Sequence, residues 1–250
     1  MKPILEICAG DIRSVQAAAQ GGAQRVELCS ALSEGGLTPS YGLIKEALKI
    51  EGIKVNVLIR PRAGDFVYND DELSLMRQDI LAAKELGANG VVIGCLTPEG
   101  NVDIPACKGL MAAAYGLSVT FHRAFDLVAD PFQALEEIID LGCDRILTSG
   151  LSATATEGVD MLKDLIAKAS NRIVIMPGSG VTASNAGRIL QLAGASEIHA
   201  SAREEVESGM SFRREGVNMG TPGADEYKMK YTSPKTVAQI VKAINSTEYE

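Results

Sequence analysis

Eight β-rich runs, at residues 4–8, 25–29, 54–60, 90–95, 118–123, 145–149, 172–177 and 197–201, alternate with helix-like runs along nearly the whole chain. Strands that alternate with helices one for one lie parallel, because each helix carries the chain back to the edge it left. Eight such units in 250 residues match the size of a closed (β/α)8 barrel, so the expectation is one α/β domain of TIM type over residues 1–250. A weak repeat supports one barrel over two smaller domains. Gly22-Ala23, Gly87-Ala88, Gly142-Cys143 and Gly194-Ala195 are each followed by two residues and then an apolar run. Glycine there ends a helix in left-handed geometry, and the small residue after it fits under the next strand. Helix starts are marked by Thr38-Pro39, Asp130-Pro131 and Ser233-Pro234, read as cap plus first-turn proline, and by single caps at Asp11 and Thr182. The one long irregular stretch, roughly 203–232, is expected to be a loop before the last helix.

Side chains alternate along a strand, so one face meets the helices and the other the barrel interior. The helix-facing set must be apolar, which turns Leu5, Ile7, Val26, Leu28, Val55, Val57, Ile59, Val119, Phe121, Ile198 and Ala200 outward. The interior then receives Glu6, Cys8, Glu27, Cys29, Asn56, Arg60, Thr120, His122, Glu197, His199 and Ser201. Strands 4, 6 and 7 do not alternate cleanly enough to assign. Two phrases, Glu6-Ile7-Cys8 and Glu27-Leu28-Cys29, aim the same acid and thiol into the lumen from neighbouring strands about 4.8 Å apart. Buried carboxylates need partners, and Arg60 on the next strand is the expected one.

The C-terminal rim is where such barrels place their chemistry. Both histidines of the chain, His122 and His199, fall late on strands with inward parity. Glu27 or His122 is a candidate general base, and Arg60 and Arg123 are candidates to hold anionic groups, roles that require a tuned pKa and hydrogen-bond reach. Each of these residues also has a plain reading, as part of a satisfied salt-bridge network or as a hydrogen-bonded core histidine. Strand 7 runs into Gly178, Ser179 and Gly180, a glycine turn whose free N–H groups suit a phosphate or other anion. Among the five cysteines, Cys107 and Cys143 read as core, and Cys95 has no clear parity. Cys8 and Cys29 pair as candidate ligands for a soft metal, Cu(I) or zinc, with unpaired reduced thiols as the alternative.

Composition removes other classes. Lys plus Arg number 24 against 32 Asp plus Glu, a net charge of −8, and no basic cluster with interleaved aromatics is present, so nucleic acid is not an expected partner. No apolar run approaches the roughly 18 residues of a membrane span, and the N-terminal apolar stretch is too short for a signal segment. An odd, dispersed cysteine set without CxxC points to a reducing cytosol. No lysine late on a strand disfavours Schiff-base chemistry.

Taken together, "LEICAGD", "RVELCSALSEGGLTPSYG", "LIRPRAGDFVYNDDE", "GNVD", "TFHRAFD", "LTSG", "MPGSGV" and "EIHASA" resemble the CutC family, named for copper homeostasis, from the N-terminus to about residue 245. The family's motifs fall on Glu6, Cys8, Glu27, Cys29, Arg60, Arg62, Asp65, His122, Arg123, Asp126, Ser149, Gly150 and Gly180. The resemblance implies a cytosolic TIM-type barrel that forms a homo-oligomer, a dimer first, with an intracellular copper-binding role. Three functions stay open at this point. One is copper homeostasis with Cu(I) held by Cys8 and Cys29. Another is a barrel-mouth enzyme acting on a small anionic metabolite, phosphorylated ones included. The third is a ligand-responsive scaffold.

Overall fold

The computed structural model describes residues 2–214, 216–217 and 225–246. Strands β1 (Ile4–Ala9), β2 (Arg25–Leu28), β3 (Lys54–Leu58), β4 (Gly90–Ile93), β5 (Ser118–Phe121), β6 (Arg145–Thr148), β7 (Val174–Pro177) and β8 (Glu197–Ala200) form one sheet. Helices α1 (Ile12–Gln20), α2 (Tyr41–Ala47), α3 (Asp70–Leu86), α4 (Ile104–Ala113), α5 (Pro131–Leu141), α6 (Val159–Ala169), α7 (Ala186–Ala193) and α8 (Pro234–Asn245) alternate with them. All assigned pairings within this sheet are parallel. The sheet order runs β7-β6-β5-β4-β3-β2-β1-β8, and β7 packs beside β8, giving a nearly closed (β/α)8 barrel.

The parity expected from alternation holds. Leu5, Ile7, Val26, Leu28, Val55, Val57, Ile59, Val119, Phe121, Ile198 and Ala200 all belong to the continuous apolar core shared with the helices. The three strands that alternation left open now have a sense. Val92 of β4 joins Leu58 and Cys29 in a separate inner cluster, Arg145 of β6 reaches Glu197, and Met176 of β7 meets Arg25. Their neighbours Val91, Ile93, Ile146 and Ile175 face the helices. The repeated glycines end or follow their helices in left-handed geometry, with φ of +88° at Gly22, +92° at Gly87, +83° at Gly142 and +73° at Gly194. The small residues after them are buried.

Three helix boundaries behave as the residues suggest: Asp11, Asp130 and Ser233 each accept a backbone N–H from the first turn. Two do not. The cap of α2 is Ser40, which accepts from Leu43 N at 3.2 Å, while Thr38 is drawn to the main chain of Arg60. Pro39 therefore lies outside the helix. α7 starts at Ala186 behind Asn185, and Thr182 heads the preceding turn, its N–H donating to Asn185 Oδ1 at 2.7 Å. The stretch 203–232 also departs from the expected loop. Its two ends, β9 (Arg203–Glu207) and β10 (Lys228–Thr232), pair antiparallel as a ribbon beside α1; residues 215 and 218–224 lie outside the described set.

Candidate functional site

The barrel interior is built in two levels, and register decides both. β1 and β2 align so that Glu6 stands opposite Arg25 and Cys8 opposite Glu27. The two acid-thiol phrases are thus staggered by two residues. On the other flank Glu6 stands opposite His199. Glu6 is fully buried and is held from both sides, by Arg25 Nε and by His199 Nδ1 at 2.8 Å. Arg25 also pairs with Glu197, which Arg145 approaches at 3.2 Å. Arg145 is steadied in turn by Ser118 Oγ at 2.7 Å. This floor is a charge-balanced chain of two carboxylates and two guanidiniums. Burial pushes Glu6 up, but Arg25 and the His199 contact outweigh it and bring it down to about 2.

Arg25 and Arg145 were invisible as site residues in the sequence, although Arg25 shares the inward parity of Glu27. Arg60 does not do the work expected of it. Its guanidinium donates to the carbonyls of Glu34 at 2.8 Å, Gly36 at 2.9 Å and Gly64 at 2.8 Å, and no carboxylate among the described residues pairs with it. The loop after β2 can wrap it because Gly36, with φ of +93°, passes where a Cβ would lie 2.8 Å from Leu58. Arg62 braces the other loop, the one after β3, through Asp65 and Glu72. Glu72 is itself half of a capping box with Asn69 at the start of α3.

Above the floor, the mouth encloses a cavity of about 140 Å³ with two unlike walls. On the β1, β2 and β8 side stand Cys8, Glu27 and His199, with Cys29 behind them. The sulfurs of Cys8 and Cys29 lie 3.6 Å apart, unbonded. With a carboxylate oxygen of Glu27 they form a set of donor atoms all within 4.8 Å of one another. That spacing fits a soft ion, since 3.6 Å is less than twice a metal–thiolate bond of about 2.3 Å. The Cys29 hydrogen bond and burial push the Cys8 thiol up, and burial raises Glu27 despite the attraction of His199. Burial would lower His199, but hydrogen bonds to Cys8 and Glu6, with the charges of Glu27 and Glu6, carry it well above 6.5. These contacts favour its protonated form. The other cysteines, Cys95, Cys107 and Cys143, sit in the apolar core.

On the β3 and β5 side stand Arg60 and His122, with Arg123 at the entrance and Phe66, Leu58 and Leu147 as apolar lining. His122 caps the short 3-10 turn Arg123–Leu127, its Nδ1 accepting from Ala124 N at 3.2 Å. The ring proton is therefore on Nε2, which has no partner. Burial and the Arg60 charge depress His122 to about 3, which favours the neutral ring with its Nε2–H as a donor. Arg123 is aimed by Asp126 at 2.7 Å and Ser149 at 3.1 Å. Asp126 is pinned by Thr148 and by the N–H groups of Ser149 and Leu151.

Gly178, Ser179 and Gly180, the glycine turn after β7, do not line this cavity, although Gly178 packs against Leu147 and His199, which do. Gly178 N donates to Thr148 O at 3.0 Å and Ser179 Oγ to Ala153 O at 2.9 Å. The N–H groups of Ser179 and Gly180 have no acceptor among the described residues, and the helix that was to back them begins only at Ala186. No helix among the described residues is long and apolar enough to cross a membrane.

Comparison with known proteins agrees with the motifs. The CutC family model matches residues 3–204. A CutC family protein of Bacteroides fragilis is 49% identical over 246 residues, covering 98% of each chain. The human copper homeostasis protein cutC homolog is 49% identical over 238 residues, 95% of this chain and 87% of that one. The crystal structure of a Streptococcus agalactiae chain named as copper homeostasis protein CutC superposes with a TM-score of 0.76 at 42% identity, covering 79% of this chain and 97% of that one. With its motifs in order on a (β/α)8 frame and half its residues shared with these relatives, this chain belongs to the CutC family.

Proposed function

We propose that this chain serves copper homeostasis by holding Cu(I) between Cys8 and Cys29 at the C-terminal mouth of the barrel. The observation that carries the reading is the 3.6 Å approach of these two thiols from adjacent strands, beside Glu27, while the remaining cysteines are spent in the core. Two thiols are a soft donor set, and soft donors select Cu(I) over hard cations. The relatives named for copper homeostasis lend the process. Such a site works in the reducing cytosol, where its thiols stay free to take metal. What the protein supplies is a fixed pair of sulfurs on rigid strands, with the Glu6–Arg25–Glu197–Arg145 chain holding the floor beneath them.

The test is anaerobic Cu(I) titration against a chromophoric competitor. Cys8→Ser with Cys29→Ser is expected to abolish the tight equivalent seen in the wild type, and Cys107→Ala with Cys143→Ala to keep it. The same stoichiometry and affinity in both double variants would refute the site.

A further inference from the structure

We propose that the opposite wall of the same mouth is a receptor for the carboxylate of a small organic acid, gripped by Arg60 and His122. Arg60 is 6% exposed and His122 5%. A buried cation is tolerated when a counter-charge meets it, and every floor guanidinium has one. Arg60 has only carbonyls, which satisfy hydrogen bonds and leave the charge uncancelled. Its Nε has no partner, and neither does Nε2 of His122. Buried donors without acceptors are rare in folded proteins, and here two belong to residues that line one cavity.

The two residues are built for each other. Phe66 packs on both, its ring centre 5.0 Å from the Arg60 guanidinium and 4.8 Å from the His122 ring, which fixes their planes and keeps water from that side. Nδ1 of His122 is tied to Ala124 N, so the free ring nitrogen is a donor in every rotamer the cap permits. A charged and a neutral N–H donor suit the two oxygens of a carboxylate. Arg123, held by Asp126 and Ser149 at the entrance, attracts the anion on its way in.

The cavity also limits size and character. Its volume of about 140 Å³ is well under the roughly 300–1,000 Å³ of pockets for drug-sized ligands. Leu58, Leu147 and Phe66 make part of it apolar, and Glu27 and His199 face the donor wall from across it. The occupant is a short acid with a small apolar end and a second polar atom beside its carboxylate, of the 2-hydroxy or 2-oxo acid type. This inference is independent of the copper reading, because its donors follow β3 and β5 and its test contains no metal.

The experiment is a metal-free titration of the full chain with L-lactate, pyruvate, lactamide and inorganic phosphate, followed by calorimetry and by the nitrogen-correlated NMR signals of the two histidine rings. Lactate or pyruvate is expected to shift the Nε2–H signal of His122 and to saturate, and neutral lactamide to do neither. Arg60→Gln and His122→Phe are each expected to weaken the acid at least tenfold. The ring signal reads the site in the wild type, so a variant that fails to fold does not shelter the idea. No shift at His122 with either acid, undiminished affinity in Arg60→Gln, or phosphate binding as well as the acids would each overturn it.

Discussion

Arg25→Met removes the guanidinium that joins two buried carboxylates, Glu6 and Glu197, and leaves a side chain that still fills much of the space. Glu197 keeps Arg145 at 3.2 Å, so the damage centres on Glu6, whose remaining partner is His199 at 2.8 Å. In the intact protein Glu6 titrates at about 2 against an ordinary 4.5. That gap, at about 1.4 kcal/mol per pH unit, amounts to about 3 kcal/mol. Removing one member of a buried pair costs about 3–5 kcal/mol, in agreement. Because the folded pKa is depressed, the wild-type contribution is present above pH 4.5 and is lost as pH falls toward 2. In the variant, burial without Arg25 favours the protonated acid, which needs no counter-charge. The loss relative to wild type should therefore be largest at pH 7 and smaller at pH 5. Urea unfolding followed by circular dichroism at both pH values measures it. A loss under about 1 kcal/mol at pH 7, the scale of an exposed pair, or the same loss at both pH values, would refute the claim that Arg25 neutralises Glu6.

Two further outcomes follow from the same geometry. His122 titrates at about 3 in the fold against 6.5 outside it, so its neutral form contributes stability above pH 6.5 that drains away as pH drops toward 3. His122→Asn should flatten the wild-type slope in that window by up to about 1.4 kcal/mol per pH unit, and parallel curves for the two proteins would argue against a buried neutral ring. Gly90→Ala places a Cβ 2.5 Å from Ser118 O and 2.6 Å from Asn56 Oδ1, an overpacking expected to cost about 1–3 kcal/mol. Gly142→Ala meets nothing within 4 Å and suffers only its φ of +83°, about 1–2 kcal/mol. Thermal unfolding that ranks Gly142→Ala as the worse of the two would contradict the close β4–β5 approach.

Much of the frame was legible because periodicity and helix ends are local properties. A two-residue period separated Leu5 and Ile7 from Glu6 and Cys8, and Gly87 before Ala88 marked a left-handed helix end without knowledge of the fold. Errors arose where neighbours compete for one function. Thr38, Pro39 and Ser40 offer two hydroxyls and a proline at one helix start, and the choice of Ser40 depends on the tertiary bond from Thr38 to Arg60. The ribbon β9–β10 escaped because Arg203–Glu207 is almost wholly exposed and carries no inward and outward alternation, which leaves the alternating Lys228–Thr232 without a visible partner. Arg60 was misassigned for a different reason. A long side chain of known parity still has several destinations, and the three carbonyls that claim it come from two loops whose shapes no periodicity encodes.

The repeated acid and thiol of the first two strands illustrate what separates parity from register. Parity places Glu6, Cys8, Glu27 and Cys29 on one face but is silent on height. Had the phrases aligned level with each other, Glu6 would face Glu27 across about 4.8 Å, and two buried like charges at that range, at an effective dielectric of about 20, repel by about 3 kcal/mol. The observed stagger of two residues removes that pairing and brings Arg25 opposite Glu6 in its place, exchanging a repulsion for an attraction in the same space. Strand tilt in a closed barrel requires stagger, so electrostatics and closure favour the same register. The stagger also lifts Glu27 to the level of Cys8 while the thiols still meet at 3.6 Å. Arg25 is thus the residue that makes the repeat foldable, and the thiol pair at the rim depends on a charge one layer beneath it.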